Sequence, residues 1–226
     1  MLTVDVITLF PEMFAPAIGL SIVGRAVERG LASVRLHNLL DYCEGSERAD
    51  DSPYGGGPGM VLRLEPLARA LDLVLAAAPP AERRVLVLTA PSGKRFAQPD
   101  AERFAGLDRL VLICGHYEGV DERLGALYPL EEFSLGDFVL TGGEIPSLAI
   151  LDATVRLLEG AINTESAAGE SFARGSCELD YPAYTRPPRF RGVQVPDVLL
   201  SGDHAKIAAW RREESRRRAA RRRDAQ

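Results

Sequence analysis

RVLVLTAPSGKRFAQPDAERFAGLDRLVLIC, residues 84–114, begins and ends in short continuous apolar runs, RVLVLT (84–89) and RLVLIC (109–114). Runs of this length without polar alternation are the mark of parallel strands buried on both faces. Between them QPDAERFAG supplies a helix, so the stretch predicts one strand–helix–strand unit. The neighbouring sequence repeats the theme. LTVDVIT (2–8) reads as a strand, and SIVGRAVERG (21–30) as a short helix with Ser at its start and Gly at its end. ASVRLHNL (32–39) alternates as a strand with one wet face. LEPLARALDLVLAAAP (64–79) places apolar residues at 67, 71, 74 and 75 and stops at a proline pair. IPSLAILDATVRLLEG (145–160) is a further helix with core positions Leu148, Leu151, Val155 and Leu158. The alternation predicts an α/β domain, residues 1–160, built on a mostly parallel sheet covered on both faces.

Beyond residue 160 the pattern dissolves into AINTESAAGESFARGS (161–176), which reads as a flexible linker. A proline-rich piece follows, and a helix begins near Asp203. Residues 177–226 thus form a small, basic, helical second domain.

Composition sets limits on function. The 226 residues are 46% hydrophobic and 26% charged, which excludes a disordered tail protein. No run of 18 apolar residues offers a membrane span. MLTVDVITLF lacks the basic start of a signal peptide, and Cys43, Cys114 and Cys177 show no disulfide-framework spacing, so a cytoplasmic protein is expected. The net charge of −5 is unevenly spread. Residues 211–226 hold eight arginines against three acids, and the rest of the chain carries −10. That asymmetry favours a polyanionic partner, nucleic acid before membrane, over a merely solvated terminal helix.

Two glycine-rich stretches, YGGGPGM (54–60) and SLGDFVLTGGE (134–144), are neither a P-loop nor a dinucleotide fingerprint. Each serves equally well as a set of tight turns or as backbone brought close to a ligand. A third stretch, ICGHYEGVDER (113–123), leaves a predicted buried strand. Ligands of open parallel sheets bind outside the carboxyl ends of the strands. The loops after Thr89, Cys114 and Leu135 are therefore expected to share one pocket. With three histidines in the chain, no metal cluster or His-based triad can be assembled, so His116 is a poor catalytic candidate and no metal site is expected. Spacing alone gives Asp152 and Arg156 only a surface pair four residues apart. It gives Glu165 and Glu170 only the role of solvated loop acids.

LFPEMF (9–14), VGRAVERGL (23–31), DDSPYGGGPGM (50–60), ICGHYEGVDER (113–123), SLGDFVLTGGE (134–144), SFARG (171–175) and the run from YPAYTRPP to WRR (181–212) closely resemble the bacterial tRNA (guanine-N1-)-methyltransferases, the TrmD type of the SPOUT class. The resemblance implies a trefoil-knotted α/β domain, which general folding rules would not suggest. It also implies a homodimer, and S-adenosylmethionine as cofactor. The implied substrate is the tRNA anticodon stem-loop, methylated at N1 of guanosine 37 when guanosine stands at 36. The cofactor residues it implies are Gly115, Leu135, Gly136, Asp137, Phe138, Val139 and Leu140, with Leu88, Thr89, Pro91, Tyr117, Glu118, Gly142, Gly143 and Pro146 completing the walls. The catalytic residues it implies are Arg156, steadying the guanine O6, and Glu170 as base, where the family has Asp before the Ser of S-F-x-x-G; Glu165 is the alternative. Asp50, Asp51, Gly59, Arg211 and Arg212 are implied on the RNA side. The family's need for magnesium is expected to be met without a dedicated protein cage. Two other readings fit the residues. One is a SPOUT enzyme acting on ribosomal RNA, against which SFARG and YTRPP argue; the other is an RNA-binding protein that has lost its base.

Overall fold

The computed structural model describes residues 1–77, 79, 83–162, 171–172 and 179–224. Five strands, β1 (Leu2–Thr8), β2 (Ala32–Asn38), β5 (Arg84–Arg95), β6 (Arg109–Cys114) and β7 (Leu130–Ser134), form one sheet in the order β2-β1-β6-β5-β7, with every neighbouring pair parallel. Two further short strands, β3 (Asp50–Asp51) and β4 (Val61–Leu62), pair with each other. Helices α2 (Ser21–Glu28), α3 (Leu64–Ala76), α4 (Gln98–Ala105), α5 (Arg123–Leu127) and α6 (Glu144–Val155) cover the sheet, and a short α1 (Ala15–Ile18) precedes them.

Because side chains alternate along a strand, the two faces of the sheet build two apolar clusters. Val4 and Val6 of β1 and Leu110 and Leu112 of β6 pack with Phe104 of α4 and with Ile150, Leu151 and Val155 of α6. Val111 and Ile113 of β6 and Leu86 and Leu88 of β5 pack instead with Leu67, Leu71 and Val74 of α3. One polar cluster is embedded between strands. Asp5 in β1, 1% exposed, accepts from Arg109 Nη1 at 2.5 Å and lies 2.8 Å from His37 Nε2, whose other ring nitrogen meets the Tyr42 hydroxyl at 2.9 Å. A buried polar group needs such partners to offset its lost hydration.

Four local expectations are corrected. Strand β5 does not stop at Thr89; it bulges over residues 90–93 and re-pairs with β7, so that Phe133 faces both Thr89 and Lys94. The bulge accommodates Pro91, which has no N–H for a ladder. Strand β7, LEEFS, carries no apolar run and was not anticipated. Helix α6 ends at Val155, leaving Leu158 partly buried and giving the core Ile150 instead. The cap of α2 is Leu20, so Ser21 is its first helical residue and not its cap.

The chain divides into two compact units, Met1–Asn163 and Thr164–Gln226. The second contains a two-stranded hairpin, β8 (Arg189–Phe190) with β9 (Val193–Gln194), then α7 (Asp197–Leu200) and α8 (His204–Asp224). Most of the expected linker, and with it Glu165, Glu170 and Cys177, lies outside the described residues.

Candidate active site

At the carboxyl ends of β5, β6 and β7 the first unit contains a cavity of about 330 Å³. Its walls are the β5 bulge, the loop from Gly115 to Glu122, and the loop from Leu135 to Gly143. Of the residues assigned to the cofactor from sequence, Leu88, Thr89, Pro91, Gly115, Tyr117, Glu118, Leu135, Gly136, Phe138, Val139, Leu140, Gly142, Gly143 and Pro146 all line it. Asp137 does not. Its side chain is 96% exposed and pairs with Arg95 Nη2 at 2.9 Å, because the turn at Gly136 carries it away from the cavity.

Glycine is a geometric requirement where two of these loops cross. The Gly143 N–H donates to the Gly115 carbonyl at 2.7 Å, and His116 bridges Gly142. A Cβ on Gly143 would collide with Thr89 Oγ1 and would stand 2.7 Å from the Gly115 nitrogen. The Thr89 hydroxyl has two carbonyls in reach, Ile113 at 3.2 Å and Gly143 at 3.3 Å. Backbone thus meets backbone at the cavity floor.

Beneath this crossing lies a group that sequence reading missed. Glu144, 2% exposed in the first turn of α6, accepts from the Thr8 hydroxyl at 2.9 Å and lies 3.7 Å from His116 Nδ1. Only the TGGE context hinted at it, since Thr8 is 136 residues away. His116 lines the cavity between Phe10 and Tyr117, with ring centres 5.1 and 4.7 Å away. The Cys114 thiol donates to Ser147 Oγ at 3.3 Å, and burial pushes its pKa up to about 12. It is therefore an un-ionised core thiol and no nucleophile. At the rim the Arg123 guanidinium holds the Asp121 carboxyl below its usual range.

The YGGGPGM loop buttresses the wall from outside. Glu118 N–H donates to the Met60 carbonyl at 3.0 Å and Leu62 N–H to the Gly119 carbonyl at 2.9 Å. Gly59, at φ +81°, leaves its space to Glu118; a Cβ there would lie 2.6 Å from the Glu118 Cγ. Asp50 is buried and faces Arg48 at 3.2 Å, whereas Asp51 is exposed and accepts from Ser52 N–H at 2.7 Å. Arg156 follows the last residue of α6, half-buried, outside the cavity walls. Arg211 and Arg212 lie on α8 of the second unit, and Arg211 stacks on Tyr181. Among the described residues no group of three or more His, Cys, Asp or Glu is arranged to hold a metal ion.

Parallel strands ending at a glycine-floored cleft define an α/β protein of the ligand-at-strand-ends class. The model of the tRNA (Guanine-1)-methyltransferase TrmD family matches residues 2–225, and the chain belongs to this family of tRNA-modifying enzymes. It is 49% identical over 213 residues to a tRNA (guanine-N(1)-)-methyltransferase of Geobacter sulfurreducens, covering 93% of this chain and 85% of the relative. The same description belongs to relatives in Streptococcus uberis, 51% identical over 95% of this chain and 87% of theirs, and in Anaeromyxobacter dehalogenans, 50% identical over 98% and 89%.

Proposed function

We propose that the chain transfers a methyl group from S-adenosylmethionine to N1 of guanosine 37 in tRNA that carries guanosine at 36. The observation that carries this reading is the strand-end cavity floored by the Gly115–Gly143 crossing, in a chain whose family methylates guanine N1 in tRNA. The cavity fits the cofactor in kind. Leu88, Leu135, Phe138, Val139, Leu140 and Pro146 offer apolar wall, while the absence of side chains at Gly115, Gly142 and Gly143 lets a ligand come close to the main chain. S-adenosylmethionine, when bound, supplies an electrophilic methyl group on a sulfonium.

What the chain must add is alignment and proton removal, because guanine N1 holds its proton at neutral pH. Glu170 takes that proton as general base. Arg156 steadies the negative charge that develops on O6, where a fixed guanidinium is more effective than water. The target base must leave its stack to reach a buried methyl group, and an anticodon loop offers bases already partly splayed. Asp50, Asp51 and Gly59 shape the RNA side of the wall, and Arg211 and Arg212 of α8 meet phosphates. Magnesium enters with the RNA.

Exposed Phe138, Val139, Leu140 and Ile145, with Phe10, Met13 and Leu20, support assembly as a homodimer. No described helix is long and apolar enough to cross a membrane, and we place the enzyme in the cytoplasm with its tRNA.

The test is tritiated methyl transfer to an unmodified transcript with guanosines at 36 and 37, for the wild type, Glu170→Gln and Arg156→Ala. Transfer by the wild type that falls at least about a hundredfold in both variants is expected. Absence of wild-type transfer overturns the activity, and full transfer by Glu170→Gln moves the base to Glu165 or to solvent.

A further inference from the structure

The arginines of α8 are all exposed, yet three of them also touch the preceding part of the chain. Arg211, Arg218 and Arg222 recur at intervals of seven and four, which places them on one stripe of a helix. Each meets a different point of the segment that precedes the hairpin. The Arg211 guanidinium lies 4.6 Å from the centre of the Tyr181 ring, Arg218 Nη1 donates to the Asp180 carbonyl at 3.1 Å, and the Arg222 guanidinium lies 4.6 Å from the centre of the Phe172 ring. Ala219, on the same side, is 6% exposed. The segment is also tied to itself, since the Asp180 N–H donates to Ser171 Oγ at 2.9 Å.

Phe172 carries a second, independent signal. Its φ is +66°, a conformation that a bulky L-residue adopts only where its surroundings impose it. Arg222 stacks on its ring, and the Ser171–Asp180–Arg218 chain of hydrogen bonds adjoins it.

We propose that the Arg211–Arg218–Arg222 stripe is a strap that holds Ser171 and Phe172 in place, so that the basic helix sets the turnover rate as well as the affinity for RNA. The link to rate rests on the reading of Glu170 as base, because Glu170 directly precedes Ser171 in the chain. Arg218 and Arg222 are then positioning residues. They act through the Asp180–Ser171 hydrogen bond and the Phe172 ring and touch neither substrate nor cofactor.

The experiment uses the full-length protein and two readouts. The first is amide hydrogen exchange at Ser171, Phe172 and residues 179–184, and the second is steady-state methyl transfer with tRNA varied. Arg222→Ala should raise exchange in that segment and lower kcat by about fivefold, with KM for tRNA changing less than about twofold. Arg222→Lys, which keeps a cation over the ring, should recover most of the rate. Phe172→Leu should lower kcat similarly, and the double variant should lose little more than either single one, because one contact is being removed twice. Unchanged exchange in Arg222→Ala overturns the strap. So does a loss confined to KM that deepens with salt, which would assign Arg222 to RNA phosphates. Glu170→Gln measured in parallel separates the two readings: a wild-type rate there overturns the base and the strap's effect on rate, while raised exchange in Arg222→Ala would still be expected of the contact itself.

Discussion

The amide of Gly143 donates to the carbonyl of Gly115 across 2.7 Å, joining the chain that leaves β6 to the turn that opens α6. The bond requires a side-chain-free residue at 143, since a Cβ there meets Thr89 Oγ1 and lies 2.8 Å from the Cys114 Cα. These are rigid strand-end atoms that cannot move aside. Gly143→Ala should therefore cost about 2–3 kcal/mol of stability through overpacking and lower the affinity for S-adenosylmethionine at least about tenfold. Urea unfolding and titration calorimetry measure the two effects. Wild-type affinity in the variant would show that the crossing does not shape the cofactor cavity.

Gly59→Ala should behave in the opposite way. The clash there is with the Glu118 side chain, which can swing, and the backbone at φ +81° penalises alanine by only about 1 kcal/mol. We expect melting to drop by a few degrees while methyl transfer falls about tenfold, because Glu118 is pushed along the cavity wall. A variant that melts early yet retains full kcat/KM would remove Glu118 from the site.

How far the sequence was legible follows from the reach of each signal. RVLVLT and RLVLIC announced themselves because a parallel strand buried on both faces must be apolar throughout. The three loops fell on one sheet edge because strand-end geometry is a property of the fold class. Strand β7 escaped because LEEFS is recognised by β5 through its backbone, and backbone pairing leaves no trace in side-chain periodicity. The return of β5 at Lys94 and Arg95 escaped for the same reason. Glu144 was silent because a buried acid is explained only by its partner, and Thr8 stands at the far end of the domain sequence. Asp137 was placed in the cavity by its motif, yet the turn at Gly136 sends it out to Arg95. The arginines of α8 read as a charge run. Only the fold separates Arg211, Arg218 and Arg222, which meet the chain itself, from their neighbours.

Asp5→Asn tests the polar cluster in the sheet. Asp5 and Arg109 are 1% and 4% exposed, so the substitution leaves a buried guanidinium opposite a neutral amide. Removing one partner of a buried pair typically costs about 3–5 kcal/mol. Guanidinium chloride unfolding should show that loss in the midpoint with the slope unchanged. A loss below about 1 kcal/mol would mean that Arg109 is held chiefly by its other partners.

Cys114 supplies a prediction in alkali. Its thiol titrates at an ordinary value of 9.0 when exposed and near 12 in the fold, because burial disfavours the thiolate, partly offset by the Ser147 hydrogen bond. The folded state thus prefers the protonated form. The resulting stability is fully present below pH 9.0 and declines as the pH rises toward 12, where the folded thiol also ionises. Cys114→Ala removes this linkage and leaves a small, pH-independent packing loss. Between about pH 9 and 11 the wild type should therefore lose stability more steeply than the variant, and the two melting curves should converge. Parallel slopes would show that Cys114 reaches water before the protein unfolds, in which case alkylation of the native thiol would also be fast.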